Sequence, residues 1–394
     1  MVRYLGCSPV WLAGLGAASA ACVVVALLAG VLLTRLLGDN APSGTATAPA
    51  NAAATTATAT TQPAAGANPT ATTRPAAGSN PTAPGTAAAG AASGTIVPGG
   101  PPVPVAADRP GQQAQLTFPG RAGQRISLGL TDVQSGGTVA ILGPDGRQLE
   151  TAYVSDAAHL AARLPAKGTY AVLVSPDGAN TPRLTLTLSE DVAGAIEVGG
   201  PPVPVAIGRP GQQARFTFPG RAGQQVSLGL TGVQFRSTVA ILGPDGRQVE
   251  TAYVSDDDQL AARLPAEGTY AVLVSPDGAG TPRLTLTLSE DVAGTIEPGG
   301  PPVPVAAGRP GQQARLTFSG RAGQRVSLAM TDVQFRGTVA ILGPDGRQVD
   351  VAYVSGASNR PPAAQLPAAG TYTIVVSPDG AGTPRLTLAL SNAP

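Results

Sequence analysis

Side chains that carry chemistry are scarce in this chain. Its 394 residues hold one histidine (His159), two cysteines (Cys7 and Cys22) and one lysine (Lys167). Charged residues make up 12% and aromatic residues 4%; the charged share is about half of that in an ordinary globular protein. A single imidazole, with no cysteine after residue 22, argues against most His- or Cys-based catalysis and against a thiolate zinc cluster. The formal net charge is +1, from 25 basic and 24 acidic residues. With no basic run along the chain, nucleic-acid binding is not expected. Cys7 and Cys22 are fifteen positions apart, about 22 Å along a helix, so they cannot bond each other. Everything beyond them must be stable without disulfides, even in an oxidising compartment.

What the chain does have is apolar at one end and repetitive over the rest. Val10 to Leu33 is a run of 24 residues without a charge. As a helix it would span roughly 36 Å, enough for a bilayer core with some tilt. Tyr4 and Trp11 sit near its first edge, where amphipathic rings favour the interface. Arg3 and Arg35 flank it on both sides, so charge gives little orientation. The short leader against the long polar remainder predicts a signal-anchor over 10–37, with residues 1–9 in the cytoplasm. The competing expectation is a cleaved signal peptide, whose apolar core is usually shorter. Ser19-Ala20-Ala21-Cys22 faintly resembles a lipid-attachment site, but eleven more apolar residues follow it.

Residues 38–94 are nearly all Ala, Thr, Pro, Gly, Ser and Asn. Such a composition cannot bury enough apolar surface to offset chain entropy, so a disordered linker is predicted. As a coil its ends would average roughly 40 Å apart, and largely extended it would reach on the order of 180 Å.

Beyond it the chain repeats itself. GGPPVPVA begins at Gly99, Gly199 and Gly299, and GPDGRQ at Gly143, Gly243 and Gly343. A period near 100 residues marks whole domains rather than solenoid units: repeats over 95–194, 195–294 and 295–394. Within each, apolar residues alternate, as in Val226, Leu228, Leu230 and Tyr270, Val272, Val274, the signature of strands with one buried face. FPGRAGQ, GPDG, LPAEG and SPDGAG separate the runs, with PDG suited to a tight turn. Eight short strands and no convincing helix predict, for each copy, an antiparallel β-sandwich. The fold class expected is therefore all-β: three tandem jelly-roll-like sandwiches behind a transmembrane helix and a linker.

The stretches Ala222 to Leu230, Val239 to Gly246, Leu264 to Val274 and Arg283 to Ser289, with their equivalents in the other copies, resemble the bacterial pre-peptidase C-terminal domain and its jelly-roll-like relatives. The resemblance implies a secreted or surface protein, with roles in secretion, adhesion or polymer binding. No peptidase domain accompanies the repeats. Arginine outnumbers lysine 24 to 1, which suggests a GC-rich bacterial genome.

Few residues invite a chemical role. His159 is expected in a surface loop, since the second copy has Gln259 there. Glu150 and Glu250 alternate with apolar residues and face water, and Asp145, Asp245 and Asp345 occupy turns; neither set forms the facing pair that glycoside hydrolysis needs. Asp256-Asp257-Asp258, Glu190-Asp191 and Glu290-Asp291 could contribute to the six to eight oxygens calcium takes, but the first cluster occurs in one copy only, and the third copy ends in Ser391-Asn392 instead of the acidic pair. No catalytic, cofactor or metal residues are assigned. The binding candidates are the VQFR loops: Gln234, Phe235 and Arg236, and Gln334, Phe335 and Arg336. An exposed Phe beside Arg can stack on a sugar or peptide; the alternative is a Phe tucked under its own loop. The expected function is non-enzymatic: a membrane-anchored extracytoplasmic chain binding a cell-wall polymer, polysaccharide or surface protein through tandem modules. The alternatives are a spacer without a specific ligand and an accessory ectodomain of a membrane complex.

Overall fold

The structure, a computed structural model, describes residues 92–355 and 362–393. The expected cytoplasmic leader, transmembrane helix and most of the linker lie outside the described residues. Among those described, no helix is long and apolar enough to cross a membrane.

Every described element is a strand. The first module comprises β1 (Ala92–Thr95), β2 (Val103–Ala106), β3 (Ala114–Gly120), β4 (Arg125–Thr131), β5 (Gly137–Leu142), β6 (Gln148–Val154), β7 (Ala158–Arg163), β8 (Gly168–Pro176) and β9 (Arg183–Glu190). The second repeats them as β10 (Val192–Ala195), β11 (Val203–Ala206), β12 (Ala214–Gly220), β13 (Gln225–Thr231), β14 (Ser237–Leu242), β15 (Gln248–Val254), β16 (Asp258–Arg263), β17 (Gly268–Pro276) and β18 (Arg283–Glu290). The third has β19 (Val292–Thr295), β20 (Val303–Ala306), β21 (Ala314–Gly320), β22 (Arg325–Thr331), β23 (Arg336–Leu342), β24 (Gln348–Ser355), β25 (Ala363–Gln365), β26 (Gly370–Pro378) and β27 (Arg385–Asn392).

Each module is a pair of sheets, ordered in the second as β10-β12-β17-β14-β15 and β11-β18-β13-β16. Setting β10 aside, the chain crosses between the sheets at every step except the β14–β15 hairpin, which is the order of a jelly roll. The ninth strand departs from the expectation. β1, β10 and β19 run parallel to β3, β12 and β21, so the larger sheet is mixed rather than wholly antiparallel. Parallel neighbours need a crossover, and β11, which lies in the facing sheet, provides it. Ala92 to Gly94, assigned by composition to the linker, are already strand. At the next two junctions one residue, Asp191 or Asp291, separates the last strand of one module from the first strand of the next.

Alternation in the sequence becomes the core directly. Val226, Leu228 and Leu230 on β13 and Leu284, Leu286 and Leu288 on the adjacent β18 pack against Val272 and Val274 of the other sheet in one buried cluster, and each module has its own. Burial of these aliphatic faces is the main source of stability, at about 25 cal/mol per Å². The GTY tyrosine is the largest side chain in each core. Tyr270 stacks on Phe218 at 5.5 Å, and its hydroxyl donates to Ala266 O at 2.7 Å while accepting from Ala266 N. The LPA-x-GTY pattern thus closes a loop onto a buried phenol. GPDG makes the β14–β15 turn, with Gly246 at φ +80°, a conformation that only glycine adopts without cost.

The modules are not independent beads. At the first junction, Ser127 Oγ donates to Asp191 Oδ1 at 2.8 Å and accepts from Gln213 N at 3.2 Å. Arg209 Nε donates to Ser189 Oγ at 2.8 Å and its Nη2 to Gly100 O. His159, expected in a surface loop, lies on β7 and bonds the next module instead, Nδ1 to Gly278 O at 2.8 Å and Nε2 to Ser275 Oγ at 2.9 Å. The second junction repeats the pattern with Ser227, Asp291, Gln313, Arg309 and Ser289, and Gln259 Nε2 donates to Ser377 Oγ at 3.1 Å in the place of His159. The junctions differ at one ion pair. Arg315 Nε meets Asp291 Oδ2 at 2.7 Å, whereas buried Arg215 Nε has no hydrogen-bond partner. Burial lowers the Arg215 guanidinium pKa, and so does repulsion from Arg125, which stands where the second junction has Gln225, against the pull of Asp191. Burial pushes the Asp191 carboxyl above its ordinary range, against the opposing pull of Ser127, Arg125 and Arg215.

Two outcomes follow from this packing. Leu228→Ala should cost about 2–5 kcal/mol by leaving a cavity, and amide exchange should rise chiefly in the second module because its core is its own. A carboxyl with a raised native pKa contributes stability at low pH that is lost as pH rises through that pKa. Asp191→Asn, which keeps an acceptor for Ser127, should therefore flatten this loss in thermal unfolding followed from acid to neutral pH, while the parent chain shows it.

Candidate functional site

The VQFR residues start where β13 leaves the smaller sheet and end where β14 enters the larger one. Gln234 is exposed at the surface, and its backbone is fixed by Gln234 N donating to Arg283 O at 3.0 Å. Arg236 and Arg336 are exposed, and their carbonyls accept from Asp277 N and Asp379 N. The two phenylalanines part company. Phe335 is only 8% exposed and belongs to the third core. β23 starts at Arg336, one residue earlier than its counterpart β14, and Phe335 packs immediately before it. Phe235 is 41% exposed, with its ring lying against Gly280, so that a Cβ there would overlap it. The pair does not form the repeated exposed ring that the sequence suggested, and Gln334 stands exposed beside a buried neighbour.

A different aromatic does repeat. Tyr153, Tyr253 and Tyr353 are 64%, 57% and 49% exposed. They sit on β6, β15 and β24, at the outer edge of the five-stranded sheet, opposite Thr138, Thr238 and Thr338. Their neighbours Val154, Val254 and Val354 point into the cores, so alternation turns the rings outward. Tyr253 OH donates to Asp277 Oδ2 at 2.7 Å, and Tyr353 OH to Asp379 Oδ2 at 2.6 Å. That hydrogen bond is the main cause that raises the Tyr253 phenol above its ordinary range, while Arg236 opposes it. The phenol stays neutral and tied by its tip. In the first module the position of Arg236 is Gly136, and a Cβ there would lie 2.5 Å from Tyr153 OH.

Each module thus offers a solvent-facing ring on its edge strand, and in the second and third the ring is tethered to a carboxylate with an arginine nearby. A ring with an apolar face and a polar edge can stack on a flat apolar patch while neighbouring groups hydrogen-bond around it. Sequence reasoning passed over these tyrosines. The signal was present in TAYV: once the valine is placed inside, period two places the tyrosine outside.

The other candidates are structural. Glu150 and Glu250 are exposed, and Asp145, Asp245 and Asp345 bind the turn amides of Arg147, Arg247 and Arg347. Asp191 and Asp291 are taken up by the junction serines. Among the described residues no three His, Cys, Asp or Glu side chains gather as metal ligands.

No family model matches the chain, and no curated protein does. Solved structures give distant likenesses. The CUB1-EGF-CUB2 domain of human MASP-1/3 is 9% identical, covering 49% of this chain and 99% of its own, with a TM-score of 0.19. Lac15 from a marine microbial metagenome is 14% identical, covering 76% and 88%, with a TM-score of 0.16. The BSP domain of a biofilm-associated protein is 11% identical, covering 70% and 58%, with a TM-score of 0.15.

The two phenylalanines give an asymmetric expectation. Phe335→Ser should destabilise the third module by about 2–4 kcal/mol, through lost burial and the cavity left behind. Phe235→Ser should cost clearly less. Denaturant unfolding of the two variants checks this.

Proposed function

We propose that this chain is a non-enzymatic binding array, in which three docked sandwiches each hold out one tyrosine to an extended extracytoplasmic polymer. The observation that supports it is the recurrence of the exposed ring at Tyr153, Tyr253 and Tyr353, tied by its hydroxyl to Asp277 and Asp379 in two of the three. Repeated weak sites suit a repeated ligand, since linkage on one chain multiplies their strength. The ligand class proposed is a cell-wall polymer or polysaccharide, whose sugar rings offer flat apolar faces bordered by hydroxyls. Arg236 and Arg336 would favour an acidic or phosphate-bearing strand at the second and third sites.

The placement belongs to the same proposal. The apolar run over 10–37 would anchor the chain in the membrane, with its N-terminus in the cytoplasm and the repeats beyond the linker. The finer likeness to pre-peptidase C-terminal domains stands on the LPA-x-GTY and PDG patterns and is part of this reading. A second reading has its own support: the hydrogen-bonded junctions would also suit a spacer that holds the chain at a distance without a ligand.

Retention on isolated envelope polysaccharide separates the two. Replacing Tyr153, Tyr253 and Tyr353 by Ser should leave the cores intact and abolish retention. Each single replacement should weaken it by about threefold to tenfold. A triple variant retained as well as the parent, or a parent that is not retained, would leave the spacer reading.

A further inference from the structure

The trailing face of each of the first two modules, the outer side of the smaller sheet, is covered by the leading loop of the next. Gly129 and Gly229 lie directly under Pro210-Gly211 and Pro310-Gly311, and a Cβ on either glycine would sit on the carbonyl oxygen of Pro210 or Pro310. The opposing atoms are backbone and cannot swing aside. The third module breaks this pattern at three places. Ala329 takes the place of the glycine, opposite Ala389 where Gly229 faces Thr287, and it is exposed. Ala393 takes the place of the junction aspartate: its N–H donates to Arg325 O, as Asp191 and Asp291 donate to Arg125 O and Gln225 O. Strand β25 is three residues long, whereas β7 and β16 have six, and it stops short of the position of His159 and Gln259.

The leading loop of the first module has kept its form. Arg109-Pro110-Gly111-Gln112-Gln113 repeats the sequence at 209–213 and 309–313. Gly111 has φ +70°, against +70° and +71° in Gly211 and Gly311. Gln113 Nε2 donates to Ser175 Oγ at 3.0 Å, matching the 2.9 Å of Gln213 and the 2.8 Å of Gln313. Arg109, Pro110, Gly111 and Gln113 are nevertheless exposed. It differs from the seated copies at Asp108, where they have Gly208 and Gly308, and Gln115 on β3 stands in place of Arg215 and Arg315. The loop that is seated twice within the chain is therefore preformed and open on the first module.

We infer that the trailing face of the third module is a stop against self-assembly: Ala329 and Ala393 keep it from seating on the leading loop of a second copy of this chain. A head-to-tail contact of this kind adds copy to copy, giving a ring where its rotation closes and an open filament where it does not. Stacking of repeats stops where an outer face refuses it, and on β22 the Ala329 methyl stands where β4 and β13 carry the glycines that seating needs.

The test uses the full chain in detergent. In a chimaera, residues 292–393 are replaced by a second copy of residues 192–291, which restores glycine and aspartate to the trailing face. Sedimentation should show its average mass rising by about twofold or more over about a hundredfold range of concentration, while the parent stays constant. Writing Gly→Ala into the second copy of β13 should abolish the rise. A chimaera that behaves like the parent overturns the inference, as does a rise that survives the Gly→Ala change, which would indicate strand swapping. A second measurement does not depend on the chimaera folding. Gly229→Ala in the native chain should speed amide exchange at Gln313, whose N–H is held by Ser227 Oγ, by about tenfold or more; unchanged exchange overturns the steric argument.

Discussion

The smaller sheet of each module has two faces to cover and only one core of its own. Its inner face packs on the larger sheet. In the first two modules its outer face is covered by the next module's leading loop, and β4 and β13 are buried along nearly their whole length. In the third, β22 alternates between buried and exposed residues. This second burial turns three separate cores into a row. It also explains residues that alternation alone would leave without a purpose: the buried Ser127, Ser189, Ser227 and Ser289 on an outer face, and glycine in the middle of a strand, where it is otherwise unfavourable.

Covering one face leaves the other free. The larger sheet ends in β6, β15 and β24, edge strands that the junctions do not touch. The exposed tyrosines stand there, each with a threonine across the strand pair. The junctions thus use the smaller sheet of one module with Gln213, Ser275 and strand β10 beside the larger sheet of the next, while the tyrosines stand on that sheet's far edge. Strand β10, arriving parallel from the preceding module, closes the opposite edge of the larger sheet, so a potential site of unwanted pairing becomes part of the linkage. The electrostatics follow the same division. Asp191, Arg215 and Asp291 are partly or largely desolvated at the junctions, whereas the Asp145–Arg147 type of pair in each PDG turn is exposed and contributes little.

Much of the sandwich was legible in the sequence. Period two predicted the inner faces, and PDG and LPA-x-GTY predicted the turns, because burial of one sheet face leaves a local record. The parallel strands β1, β10 and β19 left none. Each is only four residues long and rich in alanine and glycine, and it forms because a neighbouring edge is open. His159 was misread for a related reason: the atoms that satisfy it, on Gly278 and Ser275, lie more than a hundred residues away. Of the candidate site, Arg236 was found through the VQFR motif, while Tyr253 was hidden in a strand whose inward and outward positions had not been distinguished.

The amino-acid sequence by itself determined that three copies of one module follow each other, that each is a two-layered β fold, and that histidine and cysteine are scarce. These follow from repetition, alternation and residue counts, which are properties of the chain read in order. Only the tertiary structure decided how the modules dock, which aromatic faces solvent, and why glycine at 129 and 229 differs from alanine at 329. The physical reason is that docking depends on the approach of backbone to backbone, and a missing side chain becomes informative only when the atoms that fill its place are known.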